Sequence, residues 1–296
     1  MRRDALNQLT ALRARRENHP IRQPKAVPDY KGPKDLPGLT VQVTTREQLT
    51  PNLLNSETAM LYVPLHILTA DPDMTLRLVQ RGRLAVTLPR IVHDGEMPKL
   101  KKDLALLQES GVRHALVGNL GLLGPVREAG MKIHGDFGLN IYNSASMNVM
   151  RSLELASATV SFEMTLPQIR DLSKAVNAEI IAYGRLPLML TEHCLIRNRT
   201  GECTCHLGST KLTDKTGAEF PIIRDGDSCR SVLLNGKKLN WLDRQDDLAK
   251  LGVWAVRLSF TTENEREVDR ILEDYLNPTP FDPGACTRGL YLRGVD

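Results

Sequence analysis

From residue 39 onward, short β-branched or apolar runs alternate with stretches of helical periodicity, and this alternation constrains the fold more than any other feature. Eight runs have the length and composition of strands: 40–44, 59–63, 84–88, 114–118, 132–136, 158–162, 179–183 and 254–259. Helices are predicted in most gaps, at 46–55, 72–81, 98–110, 121–129, 143–154, 165–176 and 263–276. A doubly wound open sheet would show the same alternation. The count of eight favours an α/β fold of the parallel (β/α)8 TIM-barrel type.

The residues before this pattern are predicted to form a separate N-terminal part. Residues 2–17 have the periodicity of a short basic helix, with Leu6, Leu9 and Leu12 on one side. Five prolines among polar residues in 18–39 indicate a linker. We interpret the helix as solvated with a small docking stripe; RNA binding or an interdomain contact is the alternative. The predicted division is a helix and linker at 1–38, the barrel at 39–277 and a C-terminal tail at 278–296.

A long insertion after predicted strand seven, residues 184–253, contains four of the five cysteines. It has many turn formers and few long apolar runs, so another source of energy must offset the entropy of ordering it. A bound metal would supply that energy, because ligand binding in such sites is itself folding energy. Four thiolates suit tetrahedral zinc or an iron–sulfur cluster. The predicted ligands are Cys194, Cys203, Cys205 and Cys229.

The spacing of these cysteines, Cys-x8-Cys-x-Cys-x23-Cys, matches neither zinc ribbons nor the ferredoxin run. Free or buried thiols are therefore the alternative, and a Cys3His zinc site that includes His193 or His206 also stays open. Cys286 is predicted to lie outside the metal centre. In a barrel, the insertion would lie at the C-terminal face, where barrel enzymes place their chemistry.

Composition narrows the classes of partner. A net charge of +4 permits an anionic partner such as RNA without requiring one. Five Phe, six Tyr and two Trp are too few for a base-stacking platform of the single-strand-binding kind. No apolar run approaches the ~20 residues that span a bilayer, and residues 1–7 lack the apolar core of a secretory signal. We therefore expect a cytoplasmic protein that uses its thiols for metal ligation rather than disulfides.

Polar residues at the predicted strand ends are candidates for contacts with a substrate. Arg90 and Arg185 could clamp a carboxylate or phosphate, and Glu163 could transfer a proton. The alternative for each is a salt bridge at the barrel rim. His114 and His134 fall inside predicted strands, which indicates hydrogen-bonded core residues. The remaining strand-end candidates are His66, His93, Asp136 and Asn140.

Proteolysis by a recognised mechanism has no support from the residues. The chain contains neither a Gly-x-Ser-x-Gly elbow nor a His-Glu-x-x-His zinc motif. His193 and Cys194 are adjacent, but neighbouring residues do not normally present both side chains to one substrate atom.

Several stretches of the sequence are specific in combination. They are Glu179 to Cys194, Asp136 to Asn140 with Asn143 and Ser144, Glu163, Leu212 to Pro221, Cys229, Leu234 with Asn235, and Thr287 to Tyr291. Together they resemble the collagenase-like peptidases, the unassigned-type peptidase family 32. The commonest signature of that family has a cysteine at the position of Pro187, whereas a branch of longer members has its first cysteine at the position of Cys194.

The resemblance implies a barrel and, in several members, a four-iron–four-sulfur (4Fe-4S) cluster held by four cysteines. Those members act in oxygen-independent hydroxylation of ribosomal RNA, transfer RNA or a quinone precursor, while others carry a peptidase or collagenase label. Many longer members have a separate N-terminal barrel, which we expect as a partner domain in the same parent chain. The expected function is hydroxylation of an RNA base by an iron–sulfur enzyme. The alternatives are a peptidase, and a non-enzymatic domain, stabilised by zinc or another metal, that binds RNA or a protein partner.

Overall fold

Parallel strands close into a barrel in the computed structural model, which describes residues 2–15, 26–202, 210–226, 229–277 and 284–291. In chain order the strands are β1 (Gly38–Gln42), β2 (Met60–Pro64), β3 (Leu84–Thr87), β4 (His114–Val117), β5 (Lys132–Gly135), β6 (Ser157–Thr159), β7 (Asn177–Gly184), β8 (Pro187–Thr191), β9 (Thr210–Thr213), β10 (Glu219–Arg224), β11 (Ser231–Leu234), β12 (Lys238–Asn240), β13 (Ala255–Ser259) and β14 (Cys286–Thr287). Strands β1 to β7 pair in sequence order, and β13 pairs in parallel with both β1 and β7. The predicted (β/α)8 barrel is confirmed.

Helices cover the outside of the barrel, and several begin at side-chain caps that the sequence supplies. Asn143, Thr165 and Asn264 each form a reciprocal capping box at the start of a helix. In the last of these, Val268, Ile271 and Leu272 form the buried face. The helices are α1 (Arg2–Ala14), α2 (Pro51–Asn55), α3 (Leu65–Ala70), α4 (Pro72–Val79), α5 (Met97–Glu109), α6 (Leu123–Glu128), α7 (Ser144–Ser152), α8 (Leu166–Asp171), α9 (Leu195–Thr200), α10 (Gln245–Ala249) and α11 (Glu265–Leu276).

Two predicted helices are several residues too long, and the helices α3, α9 and α10 were not predicted. The helix predicted at 46–55 is shorter, because the side chain of Thr50 caps α2 and the helix begins at Pro51. Residues 65–70 form the helix α3, which was not predicted. The helix predicted at 165–176 ends at Asp171, where Leu172 takes an extended conformation.

The barrel strands separate two buried apolar clusters. Outward-facing residues such as Leu39 and Val41 belong to the large cluster beneath the helices. A small cluster of Met60, Tyr62, Ala85 and Leu116 lies apart from it, and alternation along the strands directs these side chains into the barrel.

The insertion leaves the barrel at the carboxyl end of β7 and forms an antiparallel sheet in the order β8-β11-β10-β9. The sequence had indicated few regular elements here, so this sheet is a finding of the structure. Gly184 marks the exit from β7 with a φ of +127°. A Cβ atom at this position would lie 2.1 Å from the carbonyl oxygen of Ser259, so the close approach of β7 and β13 requires glycine.

Helix α1 lies outside this architecture and buries none of its residues. It covers most of the helix predicted at 2–17; residues 16 and 17 lie outside the described part of the chain. None of the described helices has both the length and the apolar character that crossing a membrane requires.

Candidate functional site

The carboxyl ends of the barrel strands and the insertion sheet together enclose a cavity of about 530 Å³, which we call the main cavity. The barrel contributes apolar side chains such as Leu88 and Phe260, and the insertion contributes Ile223, Val232 and Leu234. The insertion therefore covers the mouth of the barrel, where enzymes of this architecture bind their ligands.

A buried polar network centred on Arg257 of β13 supports the floor of the main cavity. The Arg257 guanidinium donates hydrogen bonds to Asp136 Oδ1 and to Thr159 Oγ1, each at 2.6 Å, and also donates to Glu179. The Tyr62 hydroxyl donates to Glu179 Oε1 at 3.1 Å. The side chains of Arg257 and Glu179 are fully buried. These residues form a rigid layer inside the barrel, because a buried charge is tolerated only when it is paired.

Electrostatics fix the protonation states of two members of this network. Burial opposes a charged guanidinium, but the carboxylates of Glu179 and Asp136 outweigh it and raise the pKa of Arg257. Burial, reinforced by the charge of Glu179, raises the pKa of Tyr62 well above its ordinary value. Tyr62 therefore stays a neutral hydrogen-bond donor.

Asp136 connects the network to the main cavity. Its Oδ1 atom accepts hydrogen bonds from Arg257 and from the Phe137 amide, the latter at 2.9 Å. Its Oδ2 atom accepts none from the described residues, and Asp136 lines the cavity. The two hydrogen bonds to Oδ1 thus hold the Asp136 carboxyl group in one orientation at the wall of the main cavity.

Arg90 and Arg185 both line the main cavity, but their guanidinium groups are engaged differently. The Arg90 Cζ atom lies 5.0 Å from the centroid of the Phe137 ring, and no carboxylate in the described part of the chain forms an ion pair with it. Arg185 Nη1 donates to the backbone carbonyls of Asn235, at 2.9 Å, and Gly236. Arg185 therefore ties a turn of the insertion to the barrel, whereas the Arg90 guanidinium packs on the Phe137 ring at the cavity wall.

Glu163 is exposed and does not belong to the lining of either the main cavity or its neighbours. Its backbone carbonyl accepts a hydrogen bond from the Tyr142 hydroxyl at 3.3 Å. The structure does not bring Glu163 together with Arg90 and Arg185, and its role in proton transfer stays a prediction.

Two of the four predicted cysteine ligands line a second cavity of about 450 Å³, which adjoins the main cavity and which we call the thiol cavity. These are Cys194, whose sulfur accepts a hydrogen bond from the Arg197 amide at 3.4 Å, and Cys229, which is exposed. His66 lines both cavities. Cys203, Cys205 and His206 lie outside the described residues, and His193 is exposed beside Cys194. Cys286 is half-buried in β14 and lines neither cavity.

Two of the four predicted ligands of a metal centre, Cys194 and Cys229, lie in the thiol cavity. Within the described ranges, no group of three His, Cys, Asp or Glu side chains is arranged to hold a metal. Cys194 and Cys229 nevertheless supply two soft donors to one cavity, and Arg224 and Arg230 line the same cavity. Cationic neighbours suit a cluster whose thiolate ligands carry negative charge.

A hydrogen-bonded arginine fastens the insertion to the loop after β3. The side chain of Arg230 is 6% exposed and donates to Glu192 Oε1 at 2.7 Å and to Glu96 Oε2 at 2.8 Å. It also donates to the Ile91 carbonyl at 3.0 Å. His93, a strand-end candidate, lies 2.9 Å from the same Glu192 oxygen. This cluster positions the wall shared by the two cavities.

Two histidines hydrogen-bond inside the barrel. His114 Nδ1 lies 2.9 Å from His134 Nε2, and His134 Nδ1 lies 2.6 Å from Ser157 Oγ. Burial lowers the pKa of His134 to about 3, with a further contribution from His114. The contact resembles a nucleophile–base pair, but His134 and Ser157 are 4% and 1% exposed, so a substrate has no access to them.

The interpretation of the sequence missed the buried network, although its members were visible as charged residues inside apolar strands. Glu179 opens the run Glu-Ile-Ile-Ala-Tyr, and Arg257 interrupts Ala-Val-Arg-Leu-Ser. Lys, Glu, Arg and Asp are almost never fully buried unless paired, so two such charges in predicted core strands indicate a mutual contact.

Comparisons with known proteins identify one matching family and several solved structures of low similarity. Residues 75–277 match the model of peptidase family U32. The U32 peptidase Mk0906 is 11% identical, with 83% of this chain and 98% of that chain covered and a TM-score of 0.46. A mutant tryptophan synthase alpha-subunit from Pyrococcus furiosus is 12% identical, with 83% and 99% covered and a TM-score of 0.43. A comparison with curated proteins found no match.

Proposed function

Because this chain belongs to peptidase family U32, we propose that it is the cluster-bearing part of an enzyme that hydroxylates an RNA base without oxygen. The observation that carries the proposal is the convergence of Cys194 and Cys229 on one cavity beside the main cavity of the barrel. Side chains alone do not perform redox chemistry on an aromatic ring, so a cofactor must carry it. A thiolate-rich pocket at the barrel mouth is the part of this molecule suited to hold one.

The ligands in this proposal are Cys194, Cys203, Cys205 and Cys229, of which the first and last belong to the described chain. A 4Fe-4S cluster bound there would supply electron transfer next to the substrate cavity. Zinc in the same ligands would be structural and would leave the reaction without a redox group.

Replacement of a ring C–H by C–OH with water as the oxygen source releases two electrons and two protons. The proposal therefore includes a two-electron oxidant as co-substrate, and a base for the protons. Asp136 lines the main cavity, and its Oδ2 atom accepts no hydrogen bond from the described residues, so this carboxyl group is suited to receive a proton or a hydrogen bond from the ligand. Arg90 is suited to bind an anionic group of the substrate or co-substrate.

Metal analysis of single cysteine variants tests the ligand set. The full-length protein is purified anaerobically, and iron, sulfide and zinc are measured. Cys194→Ala, Cys203→Ala, Cys205→Ala and Cys229→Ala should each lose the metal, because each removes one of four ligands. Cys286→Ala is the matched control and should retain it. Full metal content in one of the first four variants would remove that residue from the set.

The reaction is tested in cells that lack the parent gene. Full-length wild-type protein should restore a hydroxylated base, detected by mass spectrometry of RNA digests, and Cys194→Ala should not. Full restoration by the variant would show that the thiol has no role in the reaction. A zinc protein without modified base would favour the non-enzymatic alternative.

A second candidate function is thiol-dependent peptide hydrolysis, because His66 lines the same cavity as Cys194 and Cys229. A Cys–His pair needs only one thiol and one imidazole. Peptidase activity of the purified protein should then survive Cys203→Ala and Cys205→Ala, and disappear in His66→Gln. Under the cluster proposal, RNA hydroxylation should instead be lost in Cys203→Ala and in Cys205→Ala. One set of variants therefore separates the two functions.

A further inference from the structure

A third cavity of about 680 Å³, which we call the stacking cavity, lies between the loops after β3, β4, β5 and β6 and the strand β8. We propose that it binds a base of single-stranded RNA that neighbours the base in the main cavity. This inference rests on the proposed function, since it assigns a subsite to the same RNA. It gives a role to Phe137, Phe162 and the apolar side chains of β8, which the proposed reaction does not use.

Two aromatic rings and a guanidinium form the surface on which a base would stack. The ring centroids of Phe137 and Phe162 lie 5.5 Å apart with an interplanar angle of 51°, and Arg90 lies over the Phe137 ring. Both rings are half-buried, packed against the core on one side. Proteins stack unpaired RNA bases on such aromatic faces and on arginine planes. The low aromatic content excludes an extended platform, but one subsite needs only these two rings.

The loops after β4 and β5 approach each other through their backbones at this cavity. A Cβ atom on Gly138 would lie 2.5 Å from the carbonyl oxygen of Gly118, so a side chain at residue 138 would force the loops apart. The close approach brings Asn140, whose backbone is left-handed with a φ of 51°, to the cavity wall. No described residue hydrogen-bonds to the Asn140 side chain. Its amide is therefore available to the edge of a base, which offers both donors and acceptors.

The charge of the stacking cavity favours a polyanion over an apolar peptide. Its lining contains Arg90 and no Asp or Glu. The apolar side is formed by β8, where Leu188 and Met189 are 52% and 47% exposed. A hydrophobic peptide would use those side chains but would leave the guanidinium of Arg90 without a partner, whereas an adjoining phosphate would pair with it.

The stacking cavity adjoins the main cavity and shares part of its wall. Arg90, Ile91, Phe137 and Pro187 line both. Neighbouring nucleotides of one strand could therefore occupy the two cavities, with Arg90 between them. The expected consequence is that the stacking subsite sets which nucleotide enters the main cavity, and that it requires single-stranded RNA.

Binding of a fluorescein-labelled single-stranded RNA hexanucleotide, measured by fluorescence anisotropy on the full-length protein, tests the inference. Phe162→Leu keeps an apolar side chain but removes the ring, so the dissociation constant should rise roughly tenfold, the effect of one lost stacking contact. Phe162→Tyr keeps the ring and should bind like the wild type. Phe220→Leu is the matched control, because Phe220 lies on β10 and lines none of the three cavities.

Unchanged RNA affinity in Phe162→Leu would overturn the inference, and so would equal losses in Phe162→Leu and Phe220→Leu. Selective loss of binding to a fluorescein-labelled leucine-rich peptide, with RNA affinity intact, would show that the occupant is a peptide. Circular dichroism confirms that each variant is folded. The binding assay needs no turnover, so failure of the hydroxylation experiment with wild-type protein is distinguishable from failure of the subsite.

Discussion

The interior of the barrel and the insertion over its mouth hold their polar groups in different ways. Inside the barrel, the Nη1 and Nη2 atoms of Arg257 pair with Asp136 and Glu179 out of contact with bulk water. In the insertion, ion pairs such as Lys211 with Glu219 are exposed on both sides, and β8 and β9 contain no buried residue. The barrel therefore fixes its own geometry, whereas the insertion depends on a few anchoring contacts and on whatever its thiols bind.

This difference has a consequence for the site. The floor of the main cavity belongs to the barrel, which is the rigid part of the molecule. Its lid is the insertion, which has little apolar core. Residues on the floor, such as Asp136, are thereby preoriented for a ligand. The lid can adjust its position, because local openings cost least where few apolar contacts are buried.

The largest effect is expected from Arg257→Met, which removes the cation from the barrel interior and leaves two buried carboxyl groups without it. Loss of one partner of a buried ion pair costs roughly 3–5 kcal/mol of unfolding free energy, measurable by urea denaturation. Lys101→Met is the control, because its pair with Glu128 is exposed and should contribute about 0–1 kcal/mol. If the two variants lost similar amounts of unfolding free energy, the buried ion pair and the exposed ion pair would contribute equally to stability, contrary to this prediction.

A smaller effect is expected from Arg230→Met, because Arg230 anchors the insertion through Glu192, Glu96 and the Ile91 carbonyl. The loss of charge-assisted hydrogen bonds should cost about 1–3 kcal/mol. Hydrogen exchange should accelerate in 187–234 while the barrel strands keep their protection. Uniform acceleration through the barrel would show that the insertion and the barrel form one cooperative unit.

A further effect, smaller per pH unit than the loss expected from Arg257→Met, is a pH dependence that originates in the barrel. Burial lowers the pKa of His134 to about 3, while an unfolded histidine titrates near ~6.5. Between these values the unfolded chain binds a proton that the folded chain does not, so stability falls as pH falls, by about 1.4 kcal/mol per unit. His114, Ser157 and Arg257 surround the His134 imidazole. They shift the pH range over which stability changes, but stability still falls as pH falls.

His134→Gln should reduce that slope when urea denaturation is repeated between pH 6 and pH 4, roughly the middle of the window. An unaltered slope in the variant would assign the acid sensitivity to other groups, such as the paired carboxylates.

The strands could be predicted because their signal is local. Each of the eight predicted runs overlaps an observed barrel strand, since β-branched residues and turn formers alternate over short distances. Closure of the barrel was inferred only from the number of predicted strands, which is eight. The pairing of β13 with both β1 and β7 is a long-range property that no local pattern contains.

The buried network could not be predicted from spacing for the same reason. Arg257 is 121 residues from Asp136 and 78 residues from Glu179 in the chain. Asp136 was predicted to lie at a strand end, which is correct, but its partner could not be identified. The sheet of the insertion was missed because its strands are short and half-exposed, so their apolar signal is weak; the β9–β10 turn at Asp214 and Gly217 was visible only as a set of turn formers.

The position of Arg257 on β13 has a consequence for how the molecule is made. A ribosome completes seven barrel strands and the whole insertion before it reaches β13, so until then the sheet is open at β1 and β7. During that interval Glu179 and Asp136 have no cation, which discourages them from becoming buried. Arrival of β13 closes both sheet edges and neutralises the interior in one event. We therefore expect the interior of the nascent barrel to stay hydrated until β13 is available.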